Sequence, residues 1–162
     1  MTRLPQRPAA PARGTIIRAL VKGANDMSGT QTRTHITGVH TIGIPVTDQD
    51  RAIEFYVGTL GFEVRMDAAY GEGERWVELA PRVELAPRGA STTLALVRAG
   101  TGTPAGIDTQ IRLATTDAAA DHATLRANGV DADAEIIPYP IPMFVFRDPD
   151  GNRLIVVEQP QG

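Results

Sequence analysis

From residue 39 the chain alternates between apolar and polar or small positions. In Val39-His40-Thr41-Ile42-Gly43-Ile44-Pro45-Val46, the side chains of Ile42, Ile44 and Val46 share one face and Thr41, Gly43 and Pro45 share the other. A period of two predicts a half-buried strand, and Pro45 places it at a sheet edge or strand end. Asp48 then reads as a helix N-cap, with Asp50 adding negative charge to the first turn. Ile53, Tyr56, Val57 and Leu60 follow at i, i+3, i+4 and i+7, one apolar stripe. Gly61 stands just past it, where a helix commonly ends in a left-handed turn. Strand alternation resumes at 62–66, 75–79 and 92–97. The unit predicted is β-α-β-β-β.

The same order then recurs. Residues 110–115 alternate, Asp117 caps a second helix, and its stripe is Ala118, Asp121, His122 and Leu125, with Gly129 ending it. A short strand is expected at 134–137 and another at 143–146. The turn Asp148-Pro149-Asp150-Gly151 then leads into a last strand at 154–157. Two copies of one unit predict an α+β domain at 36–160, with module one at 38–99 and module two at 107–158. A smaller repeat is literal: Val77-Glu78-Leu79-Ala80-Pro81-Arg82 is followed by Val83-Glu84-Leu85-Ala86-Pro87-Arg88. A tandem insertion that lengthens a hairpin accounts for it, because surface loops tolerate added length cheaply.

Composition narrows the chemistry. The 162 residues contain no cysteine and three histidines, His35, His40 and His122. Disulfides, thiolate metal sites and a cysteine nucleophile are excluded together. The net charge of −3 is unevenly placed. Residues 1–26 hold five basic side chains against Asp26, which leaves eleven basic and eighteen acidic residues in the remainder. An acidic body with a short basic leader argues against nucleic acid as a partner. Residues 1–35 read as a disordered basic tail or a start placed too early, Met27 being a natural alternative start. An Arg-rich, acid-poor leader also fits an organelle transit peptide. No apolar run approaches the ~18 residues of a membrane span, so a cytoplasmic protein without a membrane partner is expected.

Three stretches carry a family likeness. Asp48-Gln49-Asp50-Arg51-Ala52-Ile53-Glu54-Phe55-Tyr56, then Leu60-Gly61-Phe62-Glu63-Val64, then Phe146-Arg147-Asp148-Pro149-Asp150-Gly151-Asn152 resemble the vicinal oxygen chelate superfamily. That group contains glyoxalase I, bleomycin-resistance proteins, fosfomycin-resistance thiol transferases and extradiol dioxygenases. The resemblance implies two βαβββ modules pairing around a cleft and, commonly, a homodimer. It implies, in the metal-dependent members, a divalent cation held by His or Gln on each module's first strand and Glu on each last strand. Those positions fall on Thr41 and Gln110, within 90–99 for module one, and on Ile155. No carboxylate lies between residues 90 and 99, and His40 misses the first position by one residue, which in a strand reverses the face. The expectation is therefore no metal and no other cofactor, with a divalent metal on His40 and Gln110 as the weak alternative. Glu158 has the opposite parity to Ile155 and is expected near the surface.

Strand parity also lists what lines the cleft. Thr41, Trp76, Gln110, Arg112, Met143 and Ile155 are the candidate ligand-binding residues, with Gly43, Val145 and Val157 beside them. Trp76 offers a flat stacking surface, Arg112 an anion contact, and Glu78 a proton acceptor and candidate catalytic group. Glu78 and Arg112 pairing with each other is an open alternative. The loop Tyr139-Pro140-Ile141-Pro142 reads as a stiff segment beside the cleft, and His122 as a half-buried packing residue. Three functional readings follow. The first is a metal-free small-molecule-binding protein of the bleomycin-resistance type. The second is a metal-dependent, glyoxalase I-like lyase or related dioxygenase. The third is a metal-free enzyme using Glu78.

Overall fold

The alternating run becomes β1 (Thr41–Val46) in the computed structural model, and Asp48 starts α1 (Gln49–Gly58). Asp48 accepts from the backbone N–H groups of Asp50 at 2.9 Å and Arg51 at 3.1 Å, the bonds expected of an N-cap. Module one continues through β2 (Phe62–Tyr70), β3 (Glu74–Pro81) and β4 (Thr93–Arg98). Module two repeats the order as β5 (Asp108–Thr115), α2 (Ala118–Ala127), β6 (Asp131–Ala132), β7 (Met143–Arg147) and β8 (Arg153–Glu158). The structure describes residues 34, 36–71, 73–82 and 92–160. His35, the second copy of the hexapeptide at 83–88 and nearly all of the 1–35 leader lie outside them. Among the described residues no helix is long and apolar enough to cross a membrane.

The sheets have matching topology, β1-β4-β3-β2 and β5-β8-β7-β6. In each, the first strand pairs in parallel with the last and the other pairs are antiparallel. Gln49 ties α1 to its sheet by donating its side-chain amide to the carbonyls of Leu96 at 2.7 Å and Arg75 at 3.0 Å.

Helix-side residues of both sheets enter one core. Ile44, Val46, Leu79 and Leu96 of the first sheet and Phe144, Phe146, Leu154 and Val156 of the second belong to it. Residues of both helices, Ala52 and Tyr56 on α1 and Ala118 and Leu125 on α2, belong to the same core. The ring centre of Phe55 on α1 lies 6.3 Å from that of Phe146. Tyr56, also on α1, donates its hydroxyl to Asp148 at 2.9 Å. Asn152 donates its amide to the carbonyl of Pro45 at 2.7 Å. Each sheet also has a face opposite its helix, its open face.

Several local expectations change. On α1 the fully buried residues are Ala52 and Tyr56, and Phe55 joins Ile53, Val57 and Leu60 as a partly buried contributor. On α2 only Ala118 and Leu125 are buried, while Asp121 turns out to accept from the hydroxyl of Thr115. His122 is half-buried, edge-on to Phe144 with ring centres 5.0 Å apart. The strand expected at 134–137 is replaced by the shorter β6, and Ile137 contributes a lone bridge to Met143. Between the Ala132–Phe146 pair and the Ile137–Met143 bridge, four residues on this side face two on β7, so the ladder is interrupted there. Ile42, at the start of edge strand β1, stays 37% exposed although Ile44 and Val46 are fully buried.

The Tyr56 hydroxyl has a measurable consequence. Burial, then the neighbouring charge and hydrogen bond of Asp148, push its pKa well above the ordinary tyrosine value of 10.0. Folded Tyr56 thus keeps its proton at a pH where the unfolded chain loses it. Its contribution is complete below about pH 10 and is lost as pH rises, at about 1.4 kcal/mol per pH unit. Urea unfolding between pH 9 and 11 should show this slope, and Tyr56→Phe should flatten it. An unchanged slope in that variant would remove Tyr56 as its source.

Candidate functional site

Parity places the chemistry-bearing residues of module one on the open face of the first sheet, and register confirms the grouping. Glu78 pairs with Met66 on one side and Ala95 on the other, and Trp76 pairs with Ala68. Thr41 stands beside Thr93 on the neighbouring strands β1 and β4. Glu78 is 9% exposed. Its Oε1 accepts from Trp76 Nε1 at 2.9 Å and from Thr41 Oγ1 at 3.3 Å. The Thr41 hydroxyl also shares a 2.7 Å hydrogen bond with that of Thr93. Tyr70 meets Trp76 edge-on, with ring centres 6.2 Å apart. The result is a carboxylate fixed at one oxygen, with Met66, Tyr70 and Trp76 beside it and the small side chains of Ala68 and Ala95 leaving a shallow floor.

Among the described residues the other oxygen, Oε2, has no hydrogen-bond partner, and no fully enclosed side-chain nitrogen or oxygen lacks one. Oε2 therefore reaches the solvent side of the face. Glu78 forms no ion pair among the described residues. In particular it does not pair with Arg112, which stands on the other sheet.

Module two presents a different surface. Arg112 pairs with Ile155, which pairs with Val145, so these three share the open face of the second sheet. Met143 and Val157 pair alongside them. Ile155 and Val145 are buried, whereas Arg112 is exposed, and among the described residues its guanidinium donates to the carbonyl of Gln110 at 3.3 Å. Gln110 sits in a bulge of β5 with φ of +57°, a left-handed backbone that a side chain other than glycine adopts at a cost of about 1 kcal/mol. The bulge interrupts the alternation between Gln110 and Arg112, so parity does not carry from one to the other. The Gln110 side chain is exposed and has no hydrogen-bond partner among the described residues.

Among the described residues no hydrogen bond, ion pair or ring contact joins Thr41, Trp76 or Glu78 to Gln110, Arg112, Met143 or Ile155. A different space lies where residues of both modules meet. It is a pocket of about 380 Å³ lined by Leu60, Phe62, Leu113, Leu125 and Val156 and open to solvent past Pro81, Arg82, Asp121 and Thr124. None of the sequence-derived site residues reaches it.

The positions implied for a divalent cation do not form a donor set. Thr41 is engaged by Glu78 and Thr93, β4 carries no carboxylate, and Ile155 is apolar. His40 is exposed, at the entrance to β1. Glu158 is turned to the start of α2, where its Oε2 accepts from the backbone N–H of Ala118 at 2.9 Å. Among the described residues no three His, Asp or Glu side chains gather as a metal site would need.

Two residues that sequence reasoning placed only in a turn prove to organise the molecule. Asp148 and Asn152 are buried where the β7–β8 turn meets module one. Asp148 accepts from the backbone N–H groups of Asp150 and Asn152, both at 2.9 Å, as well as from Tyr56. Arg51 on α1 reaches across to Asp150 at 2.6 Å, beside Thr47, whose hydroxyl also bonds Asp150. The only signal for this in the sequence was the likeness of both blocks to one family.

Comparisons with known proteins agree on the family. The family model described as Glyoxalase/Bleomycin resistance protein/Dioxygenase superfamily matches residues 38–156. Among solved structures, the chain is similar to TnmS3, an antibiotic binding protein from Streptomyces sp. CB03234. Identity is 34%, coverage is 79% of this chain and 100% of that one, and the TM-score is 0.65. A member of the same superfamily from Sphaerobacter thermophilus DSM 20745 is 36% identical, with 78% and 100% coverage and a TM-score of 0.66. Glyoxalase I of Leishmania major, at 23% identity, 76% and 87% coverage and a TM-score of 0.56, shares the fold. A search of curated proteins returned no significant match. By the match over both modules, the chain belongs to the Glyoxalase/Bleomycin resistance protein/Dioxygenase superfamily.

Proposed function

We propose that this protein is a cytoplasmic, metal-free small-molecule-binding protein of the antibiotic-binding type, working as a homodimer. The observation that carries the reading is the open face of the first sheet. There a mostly buried carboxylate, held by Trp76 and Thr41, sits among apolar side chains with one oxygen left over. Apolar walls with a few oriented polar groups are the usual make-up of a ligand site. The likeness to TnmS3 supports a binding role.

A homodimer is the arrangement that would bring the two open faces together. A second copy would lay its Arg112 and Ile155 face over the Trp76 and Glu78 face of the first, closing two equivalent clefts by two-fold symmetry. Exposed Met66 and Tyr70 on β2, and Ile137, Tyr139 and Ile141 on the β6–β7 connection, supply apolar surface for such an arrangement.

The full chain should elute at the mass of a dimer in light-scattering chromatography. A planar antibiotic that binds at a hundred times its Kd should stabilise it by about 2.7 kcal/mol, read as a thermal shift. A monomer would remove the composite cleft. One bound equivalent of nickel, zinc, iron, manganese or cobalt, lost on Gln110→Ala, would replace this reading with a metal-dependent one. Turnover of the methylglyoxal–glutathione hemithioacetal would do the same.

A further inference from the structure

Glu78 combines three features that together define what should meet it. It is 9% exposed, it has no cationic partner among the described residues, and its two oxygens are unequal. Oε1 is taken by Trp76 and Thr41, both neutral donors, whereas Oε2 has no partner among the described residues and is not fully enclosed. A carboxylate withdrawn from most of its water gains from a cation or strong donor that replaces it. Trp76 holds the carboxylate in one orientation, so that little has to reorganise when a donor arrives. Around it the face is flat and apolar: Met66 directly across on β2, Ala95 directly across on β4, and the Tyr70–Trp76 pair along the same side.

Resting on the binding-protein reading, we propose that Glu78 is the specificity-determining residue of this face. It selects planar, apolar ligands that carry a protonated nitrogen, which donates to Oε2 while the ring system lies along Trp76, Met66 and Ala95. Cationic charge near Trp76 adds attraction to the indole face. An anionic or donor-free ligand of the same shape leaves Oε2 facing an apolar or repelling group and is rejected, as an unpaired buried carboxylate requires.

The test uses the full chain and two fluorescent planar probes, cationic proflavine and an anthracene-carboxylate anion. Proflavine should bind at least tenfold more tightly than the anion. Glu78→Gln, which keeps the shape and an acceptor for Trp76, should raise the proflavine Kd roughly tenfold or more and leave the anion unchanged or tighter. Glu78→Asp keeps the charge and should keep the preference, which guards against a folding defect in either variant. Equal binding of both probes, untouched by Glu78→Gln, would overturn this inference and leave the face as a binding site. Failure of both probes to bind would overturn the site reading with it. Equal loss of preference in both variants would show that charge at this position is not the determinant.

Discussion

Asn152→Ala should lower the unfolding free energy by about 3–5 kcal/mol, although none of its hydrogen bonds reaches Thr41, Trp76 or Glu78 of the proposed ligand face. Asn152 is fully buried. Its Oδ1 accepts from the backbone N–H groups of Gly106 at 2.9 Å and Ile107 at 3.2 Å. Its Nδ2 donates to the carbonyl of Pro45 at 2.7 Å and to Asp148 at 2.9 Å. One amide thus joins β1 of module one, the entry to module two and the last turn. Alanine leaves two backbone donors and a carbonyl without partners and takes a donor from a buried carboxylate. An unmet buried group costs about 1–3 kcal/mol, so partial relaxation still leaves a loss of several. Urea unfolding followed by circular dichroism measures it, and a loss below about 1 kcal/mol would show that water or rearrangement replaces these bonds. Asn152→Asp should be no milder, because it brings a second carboxylate against Asp148, and acid should partly relieve it.

Phe146→Ala should cost a similar amount, about 3–5 kcal/mol, by opening a cavity. Phe146 lies on β7 of module two and is fully buried, yet its ring neighbour Phe55 belongs to α1 of module one. The variant therefore tests whether the modules share one core. A single cooperative transition, shifted to lower denaturant with its slope kept, is the expected result. Two separate transitions would mean that each module holds itself together. Phe55→Ala combined with Phe146→Ala should cost less than the sum of the two by about 0.5 kcal/mol or more, since both remove the same contact.

The two modules could be read from the chain because each element announces itself locally. Asp48 and Asp117 are followed by apolar stripes, and Gly61 and Gly129 follow in turn. Both glycines take positive φ, at +73° and +76°. Strand parity placed Glu78, Trp76 and Thr41 on one face, and they are hydrogen-bonded there. Parity failed as a guide where the backbone departs from a plain strand. The bulge at Gln110 breaks the alternation that had assigned its face. Extra residues at 133–136 interrupt the ladder where a strand was expected at 134–137, leaving β6 upstream of it. Asp148 and Asn152 looked like turn residues, since nothing near them in sequence reveals partners on α1 and β1 some hundred positions away.

By itself the sequence determined the two βαβββ units, the face carrying Glu78 and the want of carboxylates at two strand positions. These are consequences of local period and residue type. Only the tertiary structure decided which sides of the sheets meet. The helix sides meet, because Tyr56, Phe55 and Leu125 on the helices and Phe144 and Phe146 on the second sheet find shelter from water in one shared core. Glu78 and Arg112 stand on different sheets and form no ion pair among the described residues. Residue patterns alone do not reveal that choice, because a strand's alternation states which side chains are buried together and is silent on what covers them.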